Sequence, residues 1–195
     1  MSLDLPIELI LVLFILLLAL SAFLWKKRKL SSRAHMDKIL HSYKREEVKQ
    51  IIIPDGIGGL LEIEHLVLLD QGLLLIETYP ISGNLFGADQ IDEWTQIVEG
   101  RSYKFTNPLW HVHTASQALK LLAPNVPIFC RVVFSADSHF PKGKPDEVSI
   151  LATLADDMQV VMDSPVISDK AKKDWQRCMR IARKNGQSIL RDGES

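Results

Sequence analysis

The sequence predicts an α/β domain that follows one transmembrane helix. An uncharged apolar run lies near the start of the 195-residue chain, and helix-like and strand-like patterns alternate through the rest. The remainder contains no second long apolar run, and it is long enough to bury a core without disulfide bonds. The two cysteines, Cys130 and Cys178, are too few for a disulfide framework, so we expect reduced thiols.

The first predicted element is a transmembrane helix over residues 5–25. Residues 9–25 carry no charge, and the full segment would span about 30 Å as a helix, which is one hydrocarbon core. A cleaved signal peptide is the alternative, but it would begin with basic residues, whereas Asp4 and Glu8 make this start acidic. A basic juxtamembrane segment follows at 26–34. Because basic flanks stay in the cytoplasm, we expect a single-pass membrane protein with its domain on the cytoplasmic side.

Charge is distributed unevenly although the formal net charge is only −1. Basic residues concentrate at 26–33 and at 170–191, whereas residues 34–168 carry more acidic than basic side chains. Such a body lacks the basic surface of a strong nucleic-acid binder. The membrane is therefore the partner that the sequence favours. Nucleic acid is disfavoured, and no protein partner is indicated.

The domain is expected at residues 35–165, with a C-terminal amphipathic helix and tail at 166–195. Periodicity and turn signals divide this part of the chain into elements. In order, the prediction is a helix at 35–49, a strand at 51–53, a hairpin of 60–69 and 73–78, a loop at 79–87, a strand at 102–106, a helix at 109–122, strands at 128–135 and 148–154, and a helix at 168–190.

The hairpin carries the acids that could form a site. A two-residue turn at Asp70 and Gln71 would place Glu64 directly opposite Glu77, and Tyr79 would share a face with Glu77. Two facing carboxylates suit Mg²⁺ or Mn²⁺. A three-residue turn that uses Gly72 as a bulge would shift the register by one and separate the acids. Both registers remain open from the sequence.

Five pieces of the sequence occur in a characteristic order, namely Glu62-Ile63-Glu64-His65-Leu66-Val67, Gly72-Leu73-Leu74-Leu75-Ile76-Glu77-Thr78, Gly83-Asn84-Leu85-Phe86-Gly87, Trp94 and Asn107-Pro108-Leu109. In this order and spacing they resemble the NERD domain, the nuclease-related domain, over roughly residues 36–135. That family is similar to the PD-(D/E)xK nucleases. The resemblance implies a restriction-endonuclease-like fold, with a central mixed β-sheet flanked by helices.

The resemblance also implies a set of catalytic residues. Strand acids of the family hold a divalent metal, which polarises the phosphate and activates water, and a lysine assists the attack. Glu64 and Glu77 match the metal-binding acids, and Asp37 matches a further acid. Tyr79, however, stands at the lysine position, where a neutral phenol supplies no positive charge. His111 stands where the family usually has glutamine, and glutamate replaces the usual aspartate at Glu64.

Three functional interpretations follow. The first is a degenerate nuclease fold that acts by binding rather than by cleavage, because the lysine position is Tyr79. The second is an active divalent-metal-dependent nuclease on DNA or RNA, with Lys104 moved towards the acids. The third is an unrelated membrane-tethered adaptor, with the resemblance arising by chance. The cofactor alternatives are accordingly a Mg²⁺ or Mn²⁺ ion or none, and the missing lysine argues against full enzymatic activity.

Overall fold

The computed structural model describes residues 14–21, 23 and 34–184. Residues 14–21 are helical and have exposed side chains. Within these described ranges, no helix is long and apolar enough to cross a membrane. The predicted transmembrane helix at 5–25 and the predicted basic segment at 26–34 lie largely outside the described residues, and so does the tail beyond residue 184.

A mixed six-stranded sheet is the centre of the described domain. In chain order its strands are β1 (Glu46–Pro54), β2 (Leu60–Leu68), β3 (Leu73–Tyr79), β7 (Ile128–Phe134), β9 (Val148–Ile150) and β10 (Arg183–Lys184). Their spatial order is β10-β1-β2-β3-β7-β9. The β10, β1, β2 and β3 neighbours pair antiparallel, whereas β7 is parallel to both β3 and β9.

A smaller four-stranded sheet and several helices complete the described domain. The smaller sheet has the order β6-β5-β4-β8. Its strands are β4 (Gly83–Phe86), β5 (Glu93–Val98), β6 (Arg101–Thr106) and β8 (Ser138–His139). The helices are α1 (34–41), α2 (Pro108–Leu122), α3 (Leu154–Asp157), α4 (Gln159–Met162) and α5 (Ser168–Ile181).

Helices cover both faces of the central sheet. On one face, α2 and α5 bury Leu119 and Trp175 against a core that includes Leu75 of β3. On the other face, α1, α3 and α4 pack against the side chains of β3 that point the opposite way, including Leu74. This central mixed sheet flanked by helices confirms the α/β class and the layered arrangement that the sequence predicted.

The β2–β3 hairpin has the two-residue turn at Asp70 and Gln71. The amide of Leu69 donates to the carbonyl of Gly72 at 2.9 Å, which closes that turn. A Cβ on Gly72 would lie 2.5 Å from the carbonyl oxygen of Pro127, so only glycine fits where β3 meets the start of β7. The hairpin is also buried on both faces, as its continuous apolar runs predicted.

The structure corrects several predicted boundaries. Residues 46–49, predicted as helix, begin β1 because they pair with β2. Strands β4 and β5 occupy parts of the chain to which the sequence assigned a loop or no element. Helix α5 ends at Ile181 rather than at 190, since Ala182 is extended and the next two residues pair with β1.

Candidate functional site

The hairpin register brings Glu64 and Glu77 to adjacent strands. His65 pairs with Ile76, and Leu68 pairs with Leu73. Continuing this register by one residue places Glu64 across from Glu77, as the two-residue turn requires. The backbone of Glu64 confirms the proximity, because its amide donates to Oε1 of Glu77 at 3.1 Å.

An interruption in the β1–β2 ladder changes where the Glu64 side chain points. Gln50 of β1, which lies across from Glu64, has a left-handed φ of +53°. On either side of this position, Ile63 and Leu66 both pack into the core beneath α2. Strict alternation would place residues three apart on opposite faces of the sheet. The alternation of side chains between the two faces is therefore interrupted at Glu64 and His65.

The Glu64 carboxylate binds Thr78 on β3. The Thr78 amide donates to Oε2 of Glu64 at 2.7 Å, and the Thr78 hydroxyl lies 2.7 Å from both carboxylate oxygens. Thr78 continues the face of Leu74 and Ile76, which belongs to the core beneath α1. The carboxylate of Glu64 is therefore turned to the α1 side of the sheet.

The Glu77 carboxylate lies on the α2 side. Its Oε1 is 3.5 Å from Nε2 of His111, which projects from the first turn of α2. The same imidazole nitrogen lies 3.2 Å from the Glu62 carbonyl oxygen. Glu77 raises the pKa of His111 through a hydrogen bond and its charge, although partial burial opposes this shift. On the α2 side, the pKa of His111 is thus raised mainly by the Glu77 carboxylate, with a smaller contribution from the charge of Glu62.

Tyr79 follows two residues after Glu77 and packs rather than projecting into solvent. Its ring lies 5.7 Å from the ring of Phe134, measured between centroids. Partial burial, together with the charges of Glu77 and Glu64, raises the pKa of the Tyr79 phenol. The side chain at the family's lysine position is therefore a neutral phenol at physiological pH.

Asp37 belongs to a polar network on the α1 side. It accepts a hydrogen bond from Lys49 at 2.7 Å, and Lys49 lies 3.5 Å from Glu47. Glu47 in turn contacts buried His65 at 2.9 Å, and Nε2 of His65 is 3.8 Å from Oε1 of Glu64. Asp37 is thus linked to Glu64 through three intervening side chains, and its own ion-pair partner is Lys49.

Burial raises the pKa of Glu47, but its cationic neighbours outweigh that effect. Hydrogen bonds from Lys44 and His65 and the charge of Lys49 hold the Glu47 pKa below its usual range. Glu47 therefore stays ionised in the network and fixes the imidazole of His65. The network orients the side chains around Glu64.

The donors around the hairpin do not fit the metal centre that the resemblance implies. In the described ranges, no group of three or more His, Cys, Asp or Glu side chains is arranged to hold a metal ion. The carboxylate of Glu64 is occupied by Thr78, and that of Glu77 faces His111 on the other side of the sheet. Lys104 lies on the smaller sheet, where its exposed ammonium pairs with Glu93 at 2.9 Å.

The other motif residues have structural roles. The side chain of Asn107 accepts from the Leu109 amide at 2.9 Å and caps α2, and its amide donates to three carbonyls of the 88–91 segment. Trp94 is fully buried and stacks on Phe134 at 6.0 Å between ring centroids. A Cβ on Gly87 would lie 2.1 Å from the Trp94 ring, which explains glycine at the end of the Gly83–Gly87 piece.

Sequence reasoning identified Glu64, Glu77 and Tyr79 but missed their immediate partners. Thr78 carries no signal of its own, because a threonine between two strand residues is ordinary. His65 and Glu47 could have been paired only by knowing that β1 begins at Glu46. The left-handed conformation of Gln50 has no sequence signal either, since glycine or asparagine is the usual marker.

A comparison with protein families confirms the resemblance. The model of the nuclease-related domain, NERD, matches residues 28–135, which is more than half of the chain. The chain therefore belongs to the NERD family. No curated protein and no solved structure matches it. Because the family match stands on its own, the interpretation that the resemblance arose by chance is wrong.

Proposed function

We propose that this chain is a membrane-anchored NERD domain that acts by binding rather than by metal-dependent cleavage. The observation that carries this proposal is the separation of the two acids. The Glu64 carboxylate binds Thr78 on the α1 side, whereas the Glu77 carboxylate faces His111 on the α2 side. Phosphodiester hydrolysis by this family's chemistry requires these acids to share a metal ion.

The charge around the acids supports the same proposal. A phosphate that gains negative charge needs preorganised positive groups nearby. The lysine position holds the neutral, partly buried Tyr79, whose ring packs on Phe134. The acidic balance of residues 34–168 also repels a polyanion, so nucleic acid is disfavoured as the bound partner.

Cleavage assays with three proteins test the proposal. Wild type should leave DNA and RNA intact with Mg²⁺ or Mn²⁺, and Glu77→Ala should behave identically. Tyr79→Lys restores the cation, and cleavage by this variant would show that the acids retain a geometry usable for catalysis. Cleavage by wild type that Glu77→Ala abolishes would contradict the binding role.

An active nuclease is the second candidate, and one observation favours it. The imidazole of His111 lies 3.5 Å from Glu77, that carboxylate raises the imidazole's pKa above its ordinary value, and the protonated ring would place a positive charge beside the acid. On this alternative, His111→Ala would abolish a cleavage activity that wild type possesses. Loss of cleavage in both His111→Ala and Glu77→Ala, at unchanged stability, would establish it.

The membrane part of the proposal is supported by the uncharged run at 9–25 and the basic cluster that follows. In this proposal the domain lies on the cytoplasmic side. Protease added to intact cells should leave the domain undigested, whereas protease added after the membrane is opened should digest it. Digestion in intact cells would contradict the proposed orientation.

A further inference from the structure

The outward side of α5 carries a stripe of basic residues. Lys170, Lys173, Arg177 and Arg180 are exposed, and they follow one another at spacings of three, four and three residues. On a helix this spacing places side chains along one side, and the stripe spans about 15 Å because the helix rises 1.5 Å per residue. Lys172 of the same helix is exposed as well. We name Lys170, Lys173, Arg177 and Arg180 the basic stripe.

The charges of the basic stripe are mostly unpaired. Arg177 approaches the Leu122 carbonyl at 3.5 Å and the Asp174 carboxylate at 4.0 Å. Among the described residues, the other three members of the stripe have no hydrogen bond or ion pair. Most basic side chains at 34–168 do have such partners, namely Lys44, Arg45, Lys49, Lys104, Lys120, Arg131 and Lys144. The stripe therefore offers positive charge that the described part of the domain does not neutralise.

Two carboxylates at α5 are bound to partners within the domain. Asp174 is buried and accepts from the backbone amide of Asn125 at 3.0 Å and from its side chain at 3.3 Å. Asp70 of the β2–β3 turn accepts from Ser168 at 3.0 Å and from Nε of Arg45 at 2.9 Å. These carboxylates hold the helix in place, and their charge is already used in doing so.

The exposed charge of α5 is predominantly positive. Of the residues of this helix, all of which the structure describes, five bases and one acid are exposed. The acid is Asp169, in the first turn, where the helix dipole favours a negative charge. Glu46 of β1 is also exposed, but its carboxylate accepts from the indole of buried Trp175 at 2.9 Å. The outward side of α5 is thus strongly basic in a domain whose overall balance is acidic.

The proposed anchor joins the domain on the other face of the sheet. It precedes α1, which packs with α3 and α4, whereas α5 packs with α2 on the opposite face. The part of the chain that contains α3 and α4 is also acidic, because residues 151–168 include Asp156, Asp157 and Asp163 but no Lys or Arg. The basic stripe therefore lies away from the face on which the anchor enters, and a lipid surface is not the partner that this placement favours.

We propose that the basic stripe docks an acidic segment of a partner protein. This inference rests on the proposed binding role and the proposed anchor, and it names the chemistry of the partner. A short acidic segment can be confined to a stripe of about 15 Å. A longer nucleic acid would extend over the rest of the domain, where the acidic balance of residues 34–168 repels it. Because a single exposed ion pair contributes little, recognition requires several members of the stripe together.

The test measures binding of a fluorescent oligoglutamate peptide by anisotropy, with the full chain in nanodiscs of phosphatidylcholine. One variant reverses the charge of the three stripe residues without contacts, by Lys170→Glu, Lys173→Glu and Arg180→Glu. The matched control reverses three exposed basic residues outside α5, by Lys38→Glu, Arg101→Glu and Lys142→Glu. Both variants therefore have the same net charge and change only exposed side chains. A single-stranded DNA oligonucleotide with as many charges as the peptide is the second probe.

We expect wild type to bind the peptide more tightly than the oligonucleotide. The stripe variant should weaken peptide binding about ten-fold, because charge reversal replaces attraction by repulsion at three positions. The control variant should stay within about two-fold of wild type, since salt screens exposed charges that lie farther from the peptide.

Equal weakening by the two variants, or no peptide binding by wild type, would overturn the docking proposal. Oligonucleotide binding as tight as peptide binding would overturn it in favour of nucleic acid. Loss of peptide binding by wild type in nanodiscs that contain phosphatidylglycerol would overturn it in favour of the lipid surface. Failure of the anchor would show as chains that do not insert into nanodiscs, and failure of the binding role would show in the cleavage assay, so both are distinguishable from a failure of docking.

Discussion

Thr78 is the residue that determines where the Glu64 carboxylate lies. Its amide and its hydroxyl both donate to that carboxylate, and a hydrogen bond to a charged group is stronger than one between neutral groups. The hydroxyl can be removed while the shape of the side chain is kept, which makes the interaction testable by one substitution.

Thr78→Val should lower the free energy of unfolding by about 1–2 kcal/mol, because the partly buried carboxylate loses its hydroxyl donor. Urea unfolding measures the change. Thr78→Ser keeps the hydroxyl and serves as the control, so it should cost clearly less than valine. Equal stability of wild type and Thr78→Val would show that the hydroxyl contributes nothing to holding Glu64.

The His111–Glu77 pair makes the stability of the folded state depend on pH, and the raised pKa of His111 gives the direction of that dependence. The pKa of His111 is raised from its ordinary value of 6.5 by Glu77. The stabilisation from this pair is therefore complete below the ordinary pKa and is lost as pH rises through the higher pKa of the folded state.

Glu77→Gln should lower the His111 pKa towards its ordinary value, as measured by the NMR shift of the imidazole during a pH titration. Glu93→Gln removes an exposed carboxylate of the smaller sheet and is the control, so it should leave the His111 titration where it is in wild type. An unchanged His111 pKa in Glu77→Gln would contradict the pairing.

At the scale of elements, the start of α2 depends on one side chain. Asn107 is buried, caps the helix and donates to three carbonyls of the preceding segment. A cap is worth about 1 kcal/mol, and each buried carbonyl left without a donor adds a further cost.

Asn107→Ala should therefore lower the free energy of unfolding by roughly 2–4 kcal/mol. Gln117→Ala changes an exposed side chain of the same helix and should stay within about 0.5 kcal/mol of wild type. Urea unfolding of wild type and of the two variants measures these changes in the free energy of unfolding. A loss at Asn107 no larger than that at Gln117 would show that α2 does not need this side chain.

Elements with strong local signals could be predicted from the sequence. The observed β2–β3 register is the two-residue-turn alternative of the two that the sequence left open, and the Asn107-Pro108 pair located the start of α2. The apolar stripe of Ile39, Leu40 and Tyr43 predicts a helix that runs on to residue 49, but residues 46–49 pair with β2 instead. Strands β4 and β5 belong to a small sheet whose partners are distant in sequence, so no local pattern marked them.

The candidate site could be predicted only as far as the two adjacent strands that carry its acids. The sequence indicated that Glu64 and Glu77 lie on these strands, and the register of the structure brings them opposite each other. The orientation of the Glu64 carboxylate depends on the left-handed φ of Gln50 across the ladder and on its bonds to Thr78. These are tertiary effects, and no periodicity in the sequence predicts them.

At the scale of the whole molecule, the chain is a NERD domain, and the proposed function adds a membrane anchor and binding in place of metal-dependent cleavage. The central mixed sheet carries its two conspicuous acids towards different faces, and each face has its own helices and its own polar partners. With the proposed membrane anchor, binding by such a domain would occur at a surface held near the bilayer.

The most direct test of the central claim is Mn²⁺ binding, measured by electron paramagnetic resonance on wild type, Glu64→Gln and Glu77→Gln. If the two carboxylates serve different faces of the sheet, they share no bound ion. We therefore expect that wild type has no bound Mn²⁺ that is lost in Glu64→Gln and also lost in Glu77→Gln. Bound Mn²⁺ in wild type that is lost equally in the two variants would contradict this expectation, because it would require both carboxylates on one metal ion.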